Sequence, residues 1–194
     1  RSRTTPKFFG LAQEQPPPSR FVTSDPSWEN QVLQQAKLAK ERVFEYGGLG
    51  PVALGVTIDW RRDPFASPSE NNQTQNKSQD IRAVWELSRG HQLVCLGLGY
   101  RLTSDDSYVE EMAAQMTSWA EVNPVGVGTN WQSSMEAALR IINWTWAFYL
   151  CRQSSRLTPE AVQEFIKQVV AHGNYISENL ERSAVSNNHY LANG

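Results

Sequence analysis

Near its end the chain reads AVSNNHYLANG, which sets two amides, Asn187 and Asn188, directly before the imidazole of His189 and the phenol of Tyr190. An imidazole titrates close to neutrality and can take or give a proton, while a side-chain amide hydrogen-bonds a carboxylate without bringing a charge of its own. The residues that follow could continue as a helix, and a helix start adds backbone donors and the positive end of a dipole, both favouring an anionic group. Proton transfer beside a bound anion is the chemistry that these residue types suit. His91 and His172 stand alone and read as structural residues.

Two further clusters fall on helical spacing. Arg82, Glu86 and Arg89 share one face of a segment beginning near residue 81, and Glu136, Arg140 and Asn143 share one face of another, opened by Asn130 and Trp131. Taken singly, such pairs are surface ion pairs worth a few tenths of a kcal/mol. Both segments also carry tryptophan beside the charged face, which suits stacking on a sugar ring, although tryptophan at this spacing equally builds a core. A third cluster, Asp59, Trp60, Arg61, Arg62 and Asp63 in VTIDWRRDP, reads as a solvated loop or as the edge of a polyanion-binding surface, since arginine meets carboxylate or sulfate bidentately. Paired catalytic carboxylates, a phosphate loop, metal-ligand spacing and a nucleophile elbow are all missing from the pattern, so no metal and no cofactor is expected.

The elements that must position these groups are helical. Residues 1–25 have no period and read as an extended arm; the stretch from Ser24 to Gly48 reads as a helix, capped by Ser24 or Asp25, with Pro26 in its first turn and Gly47-Gly48 at its end. PVALGVTIDW is a short extended piece, and residues 67–80 form a polar loop. From Ile81 apolar residues recur at helical spacing through four long segments. Their stripes are Val84, Leu87, His91, Val94 and Leu98; Tyr108, Met112, Met116 and Trp119; Trp131, Met135, Leu139, Ile142, Trp146 and Leu150; and Val162, Ile166, Val169, Ile176 and Leu180. Thr158-Pro159-Glu160 caps the fourth. These make two helical hairpins, and SNNHYL stands where a third would open. Stacked hairpins bury their faces only against neighbours, so the expectation is a piece cut from a longer array.

Bulk properties agree with a globular reading. The 194 residues are 40% hydrophobic and 20% charged, with a formal net charge of -2. That balance excludes the overall basicity of a typical nucleic-acid binder, and no apolar run reaches membrane-span length. Cys95 and Cys151 read as two buried free thiols. The N-terminal RSRTTPKFFG lacks the apolar core of a signal peptide.

In this order, VTIDWRRDP, VWELSRGHQLVCLGLGYRLTSDDSYVEEM, NWQSSMEAALRIINWTWAFYL and SNNHYLANG resemble the N-terminal helical domain of the heparinase II/III-like polysaccharide lyases, which include heparin, heparan sulfate and alginate lyases. The resemblance divides the chain into an N-terminal arm and first helix, residues 1–49, and a partial domain, residues 50–194. It implies an all-α fold, an incomplete α/α toroid of stacked helical hairpins with an extended N-terminal segment, completed elsewhere by more hairpins and a C-terminal β-sandwich. It implies β-elimination on an anionic, uronic-acid-containing polysaccharide: an amide offsets the substrate carboxylate, a His or Tyr removes the C5 proton, and a Tyr protonates the leaving oxygen. Asn188 and His189 match the family's Asn-His motif, with Asn187 beside them. Trp60, Arg61, Glu86, Arg89, Asn130, Trp131, Glu136 and Arg140 become expected substrate contacts. The resemblance also suggests a periplasmic or secreted protein. Members often carry Asn where Ser88 stands, and the family's catalytic Tyr lies beyond Gly194. A silent glycan-binding toroid, a toroidal glycoside hydrolase using Asp59 and Glu86, and a helical interaction scaffold are the alternatives.

Overall fold

A computed structural model describes residues 25–66 and 80–180. Helix α1, Pro26–Lys40, starts as its sequence dictates: the Asp25 carboxylate accepts from the Ser27 N–H at 2.9 Å, and Pro26 occupies the first turn. It stops earlier than the glycine pair suggests. Arg42 adopts the left-handed conformation, φ 55°, and its guanidinium is held there by Glu111 at 2.7 and 3.0 Å. The β-branched and aromatic run that follows leaves the helix and becomes strand β1, Val43–Tyr46, paired antiparallel with β2, Leu49–Ala53. Gly47 and Gly48, both at positive φ, form the hairpin turn between them rather than a helix stop.

The rest of the described chain is helical: α2 Ile81–Ser88, α3 His91–Thr103, α4 Ser107–Val122, a 3₁₀ turn Thr129–Trp131, α5 Ser134–Cys151 and α6 Pro159–Glu178. The all-α expectation holds, with one small hairpin added. That hairpin spans residues 49 and 50, where the sequence reading divides the chain. The long first segment is in fact two helices. Gly90 sits at φ 79°, and a Cβ there would lie 2.9 Å from Trp144 Nε1. The break lets the indole of α5 pass close to the backbone and turns α3 away from α2.

Helix α3 is the centre of the packing, with α1 on one side, α5 on the other and α4 returning against it; α6 lies against α5 and also touches α4. Such close approach needs bare backbone on α3. A Cβ on Gly99 would lie 2.7 Å from Ala36 Cβ, and one on Gly97 would lie 2.9 Å from Leu150 Cβ. On α4 the expected stripe Tyr108, Met112, Met116 and Trp119 is buried. Of the expected α5 stripe, Leu150 is buried, as is Trp131 just ahead of the helix, while Ile142 is exposed; the buried face runs through Ala137, Arg140, Trp144, Ala147 and Cys151. The small residues let α5 close on α3, which rotates the helix partly away from the expected stripe. On α6 Phe165 and His172 face the core, whereas Ile166, Val169 and Val170 face outward. Cys95 and Cys151 are free thiols, Cys95 only partly buried, and burial pushes Cys151 up to about 12.

Gly90→Ala combines a strained φ with a clash against Trp144, and a loss of about 2–4 kcal/mol is expected from those two causes together. Gly55, at φ 77° with open space around its missing Cβ, serves as the comparison. Gly55→Ala should cost only the backbone term, about 1 kcal/mol. Urea midpoints at unchanged m-value measure both.

Candidate functional site

The charged face of α2 meets the first turn of α5 across the 3₁₀ turn. Ser133 caps α5 by accepting from the Glu136 N–H at 3.4 Å, which fixes Glu136 in the first helical turn. Arg89, at the end of α2, then grips the Glu136 carboxylate with both arms, Nε to Oε2 at 2.7 Å and Nη2 to Oε1 at 2.8 Å, while its Nη1 donates to Glu86. The Glu136 hydrogen bonds, and then its charge, hold the Arg89 pKa above the ordinary arginine value. Trp85 completes the wall by donating its indole N–H to the Thr129 carbonyl at 2.9 Å. Trp85, Arg89, Ser133 and Glu136, together with Tyr46, Arg82, Gln132 and Met135, line a groove of about 310 Å³.

Beneath the groove lies a buried cation. Arg140, 1% exposed, donates to the Ser88 carbonyl at 3.1 Å and the Asn130 carbonyl at 2.7 Å, and its Nη1 stands 3.3 Å from His172 Nε2. Its guanidinium lies 4.2 Å from the Trp119 ring centre and 5.4 Å from that of Trp131. Burial brings Arg140 down to about 9, so it stays charged at neutral pH. His172 is pushed down to about 3, by burial first and by the Arg140 charge second. It stays neutral, with Nδ1 2.8 Å from the Gln168 carbonyl.

Several expected contacts are therefore structural. Arg140 faces the core rather than a groove, because α5 turns its small-residue face toward α3 and carries Arg140 inward with it. Trp60 is 3% exposed and donates to Ser118 Oγ at 2.9 Å, so its ring is closed to a sugar. Asn130 is wholly buried, its amide bridging the Trp60 carbonyl at 2.8 Å and Asn123 Oδ1 at 3.0 Å. Trp131, also buried, donates to the Asn123 carbonyl at 3.1 Å. Glu136 lines the groove but is 1% exposed and saturated by Arg89. Arg61 is exposed, and its backbone N–H donates to Asp59 Oδ1 at 3.2 Å; it is not part of the groove lining. Arg89 remains at the groove, while Glu86 lines a separate pocket with His91, whose Nε2 is 3.6 Å from Glu86 and whose Nδ1 is 3.2 Å from Asn143. Asn187, Asn188 and His189 lie outside the described residues. Tyr46 was not named from the sequence, and Arg82 and Trp85, although the sequence places Arg82 on the charged face with Glu86 and Arg89 and a tryptophan beside it, were not among the expected contacts.

Residues 21–193 match the sequence profile of the heparinase II/III N-terminus. The chain belongs to that family. It is 26% identical over 135 residues to the heparin-sulfate lyase of Pedobacter heparinus, a match covering 67% of this chain and 18% of that protein. The crystal structure of the heparan sulfate lyase HepC from Pedobacter heparinus superposes with a TM-score of 0.70 at 22% identity, over 95% of this chain and 26% of that one. A heparinase III gene product superposes with a TM-score of 0.65, over 84% of this chain and 25% of that one. These likenesses establish the heparinase fold for the helical hairpins. The chain thus spans less than a fifth of its curated relative and about a quarter of the solved structures. Among the described residues no helix is long and apolar enough to cross a membrane.

Two outcomes follow from the buried cation. Arg140→Met leaves the Ser88 and Asn130 carbonyls without a donor and should cost about 2–3 kcal/mol, read from the urea midpoint. Because the folded His172 is held at about 3 against an unfolded value near 6.5, the unfolded chain takes up a proton first as pH falls. Stability is full above pH ~6.5 and is lost progressively toward pH 3. In His172→Gln this component vanishes, so the stability gap between wild type and variant should narrow across that window.

Proposed function

We propose that this chain is the N-terminal part of a lyase that cleaves uronic-acid-containing polysaccharide, of the heparin and heparan sulfate kind, by β-elimination. The observation that carries the reading is that the family match runs to residue 193 and so takes in the Asn188-His189 pair. A proton beside a carboxylate anion is hardly acidic until that charge is offset. The Asn188 amide is assigned this part, donating to the uronate carboxylate as negative charge builds on it. His189, neutral, removes or helps to remove the C5 proton; the C4–C5 double bond forms as the C4–O bond breaks, and a tyrosine of the whole protein protonates the departing oxygen.

The groove supports this over hydrolysis. A hydrolase needs two carboxylates flanking the scissile bond, yet among the described residues Asp59 and Glu86 are not part of the groove lining, and Glu136, which is, is closed to solvent and bound by Arg89. The outward face of α6, where Leu157, Val162, Ile166 and Val170 line an apolar trough of about 810 Å³, is assigned to a further helical hairpin of the whole protein.

With the whole protein, heparan sulfate should yield a 4,5-unsaturated uronate, seen by its ultraviolet absorbance, at a rate that rises with pH through the His189 ionisation near 6.5. Asn188→Ala should lose most turnover while retaining most binding. Residues 1–194 alone should form no such product. Binding without any unsaturated product from the whole protein would favour a silent glycan-binding domain, and near-normal rates in His189→Ala would remove that residue from the mechanism. Alginate-type polymers, assayed in parallel, report whether sulfate is needed.

A further inference from the structure

Among the described residues two guanidinium groups line the groove, and they differ in what they already hold. Arg89 has three of its nitrogens on two carboxylates, so the cluster of Arg89, Glu86 and Glu136 carries a net charge of about -1 with all three groups ionised. An anion approaching Arg89 meets that field. Arg82 lies two turns earlier on the same face of α2, is exposed, and its guanidinium makes no hydrogen bond or ion pair among the described residues. Between them on the groove wall stands Trp85, half-buried, its ring orientation fixed by the 2.9 Å bond to the Thr129 carbonyl. Tyr46 and Gln132 add a second aromatic group and an uncharged amide to the lining.

We propose that Arg82 and Trp85 form a subsite for one anionic sugar of the polysaccharide, Trp85 taking the face of the ring and Arg82 its sulfate or carboxylate. Arg89 is then a positioning residue, which joins the end of α2 to the first turn of α5 and keeps the wall in place. The division follows from geometry. A guanidinium bound bidentately to a buried carboxylate is fixed and largely neutralised, whereas a free one can turn its planar fork to an incoming oxyanion. An indole with its N–H already satisfied offers its apolar face to the C–H face of a sugar.

This assignment rests on the polysaccharide reading above, and its test is separable from it. In the whole protein, Arg82→Gln should raise KM for heparan sulfate about tenfold with kcat within about twofold, the loss expected of one charged hydrogen bond. Arg82→Lys should recover part of it. A rise confined to the sulfated polymer assigns the partner as sulfate; an equal rise on the chemically desulfated polymer assigns it as carboxylate. Trp85→Phe, which keeps a ring but drops the N–H, should raise KM on both. If wild type forms no unsaturated product, the lyase reading fails, and the subsite is read instead by calorimetric binding of the same polymers, where Arg82→Gln should still weaken affinity. Unchanged KM or affinity for both polymers in Arg82→Gln overturns the subsite, as does a lowered melting temperature with KM unaltered.

Discussion

The structure is organised around a positive charge that water does not reach. Burying a guanidinium costs several kcal/mol unless its donors are met, and Arg140 meets them with main-chain carbonyls and tryptophan faces rather than a directly bonded carboxylate. Each partner comes from a different place in the chain: Ser88 ends α2, Asn130 stands in the 3₁₀ turn, Trp119 belongs to α4 and His172 to α6. One side chain of α5 thereby fixes four other segments. A neutral partner is needed at His172, since a second cation beside Arg140 would have no counter-charge, and burial keeps it neutral.

The same helix carries that constraint outward to the surface. Glu136 lies one turn before Arg140, and its charge supports the buried guanidinium from that distance while its oxygens bind Arg89. From Arg89 the chain of contacts passes to Glu86 and on to His91. The charges on this line hold the walls of the groove to the core, so they are largely committed before any ligand arrives. What the groove can offer an anionic sugar is therefore set by the groups left outside the line, and Arg82 is one of them.

Much of this was legible in the sequence and some was not. Asp25 and Pro26 marked the start of α1, Thr158 and Pro159 that of α6, and the α4 stripe was read in full, because caps and periods are local. The end of α1 was misplaced because a Gly-Gly pair closes a helix or turns a hairpin equally well, and what holds the hairpin here includes a long-range contact, Arg42 with Glu111 of α4, that the local sequence does not show. The break at Gly90 was hidden for a like reason: the need for glycine comes from Trp144 on a distant helix. On α5 the period was right and the face only in part: Leu150 is buried as expected, but Ile142 is exposed and Trp144 takes the core. Spacing places Glu136 and Arg140 together, but which side turns inward depends on how closely Ala137 and Ala147 let α3 approach. Likewise the ion pair of Arg89 with Glu86 is local and was visible, whereas its stronger bidentate partner, Glu136, belongs to another helix.

Whether the bond is broken by elimination or by water is the claim on which the functional account turns, and isotope labelling of the products decides it. Heparan sulfate digested by the whole protein in ¹⁸O-enriched water, with the fragments weighed by mass spectrometry, should give non-reducing ends lighter than a hydrolysis product by one water and without ¹⁸O introduced by bond cleavage. Fragments carrying the full mass of added water, with ¹⁸O fixed at the cleaved linkage, would contradict the account and place the chemistry with the hydrolases.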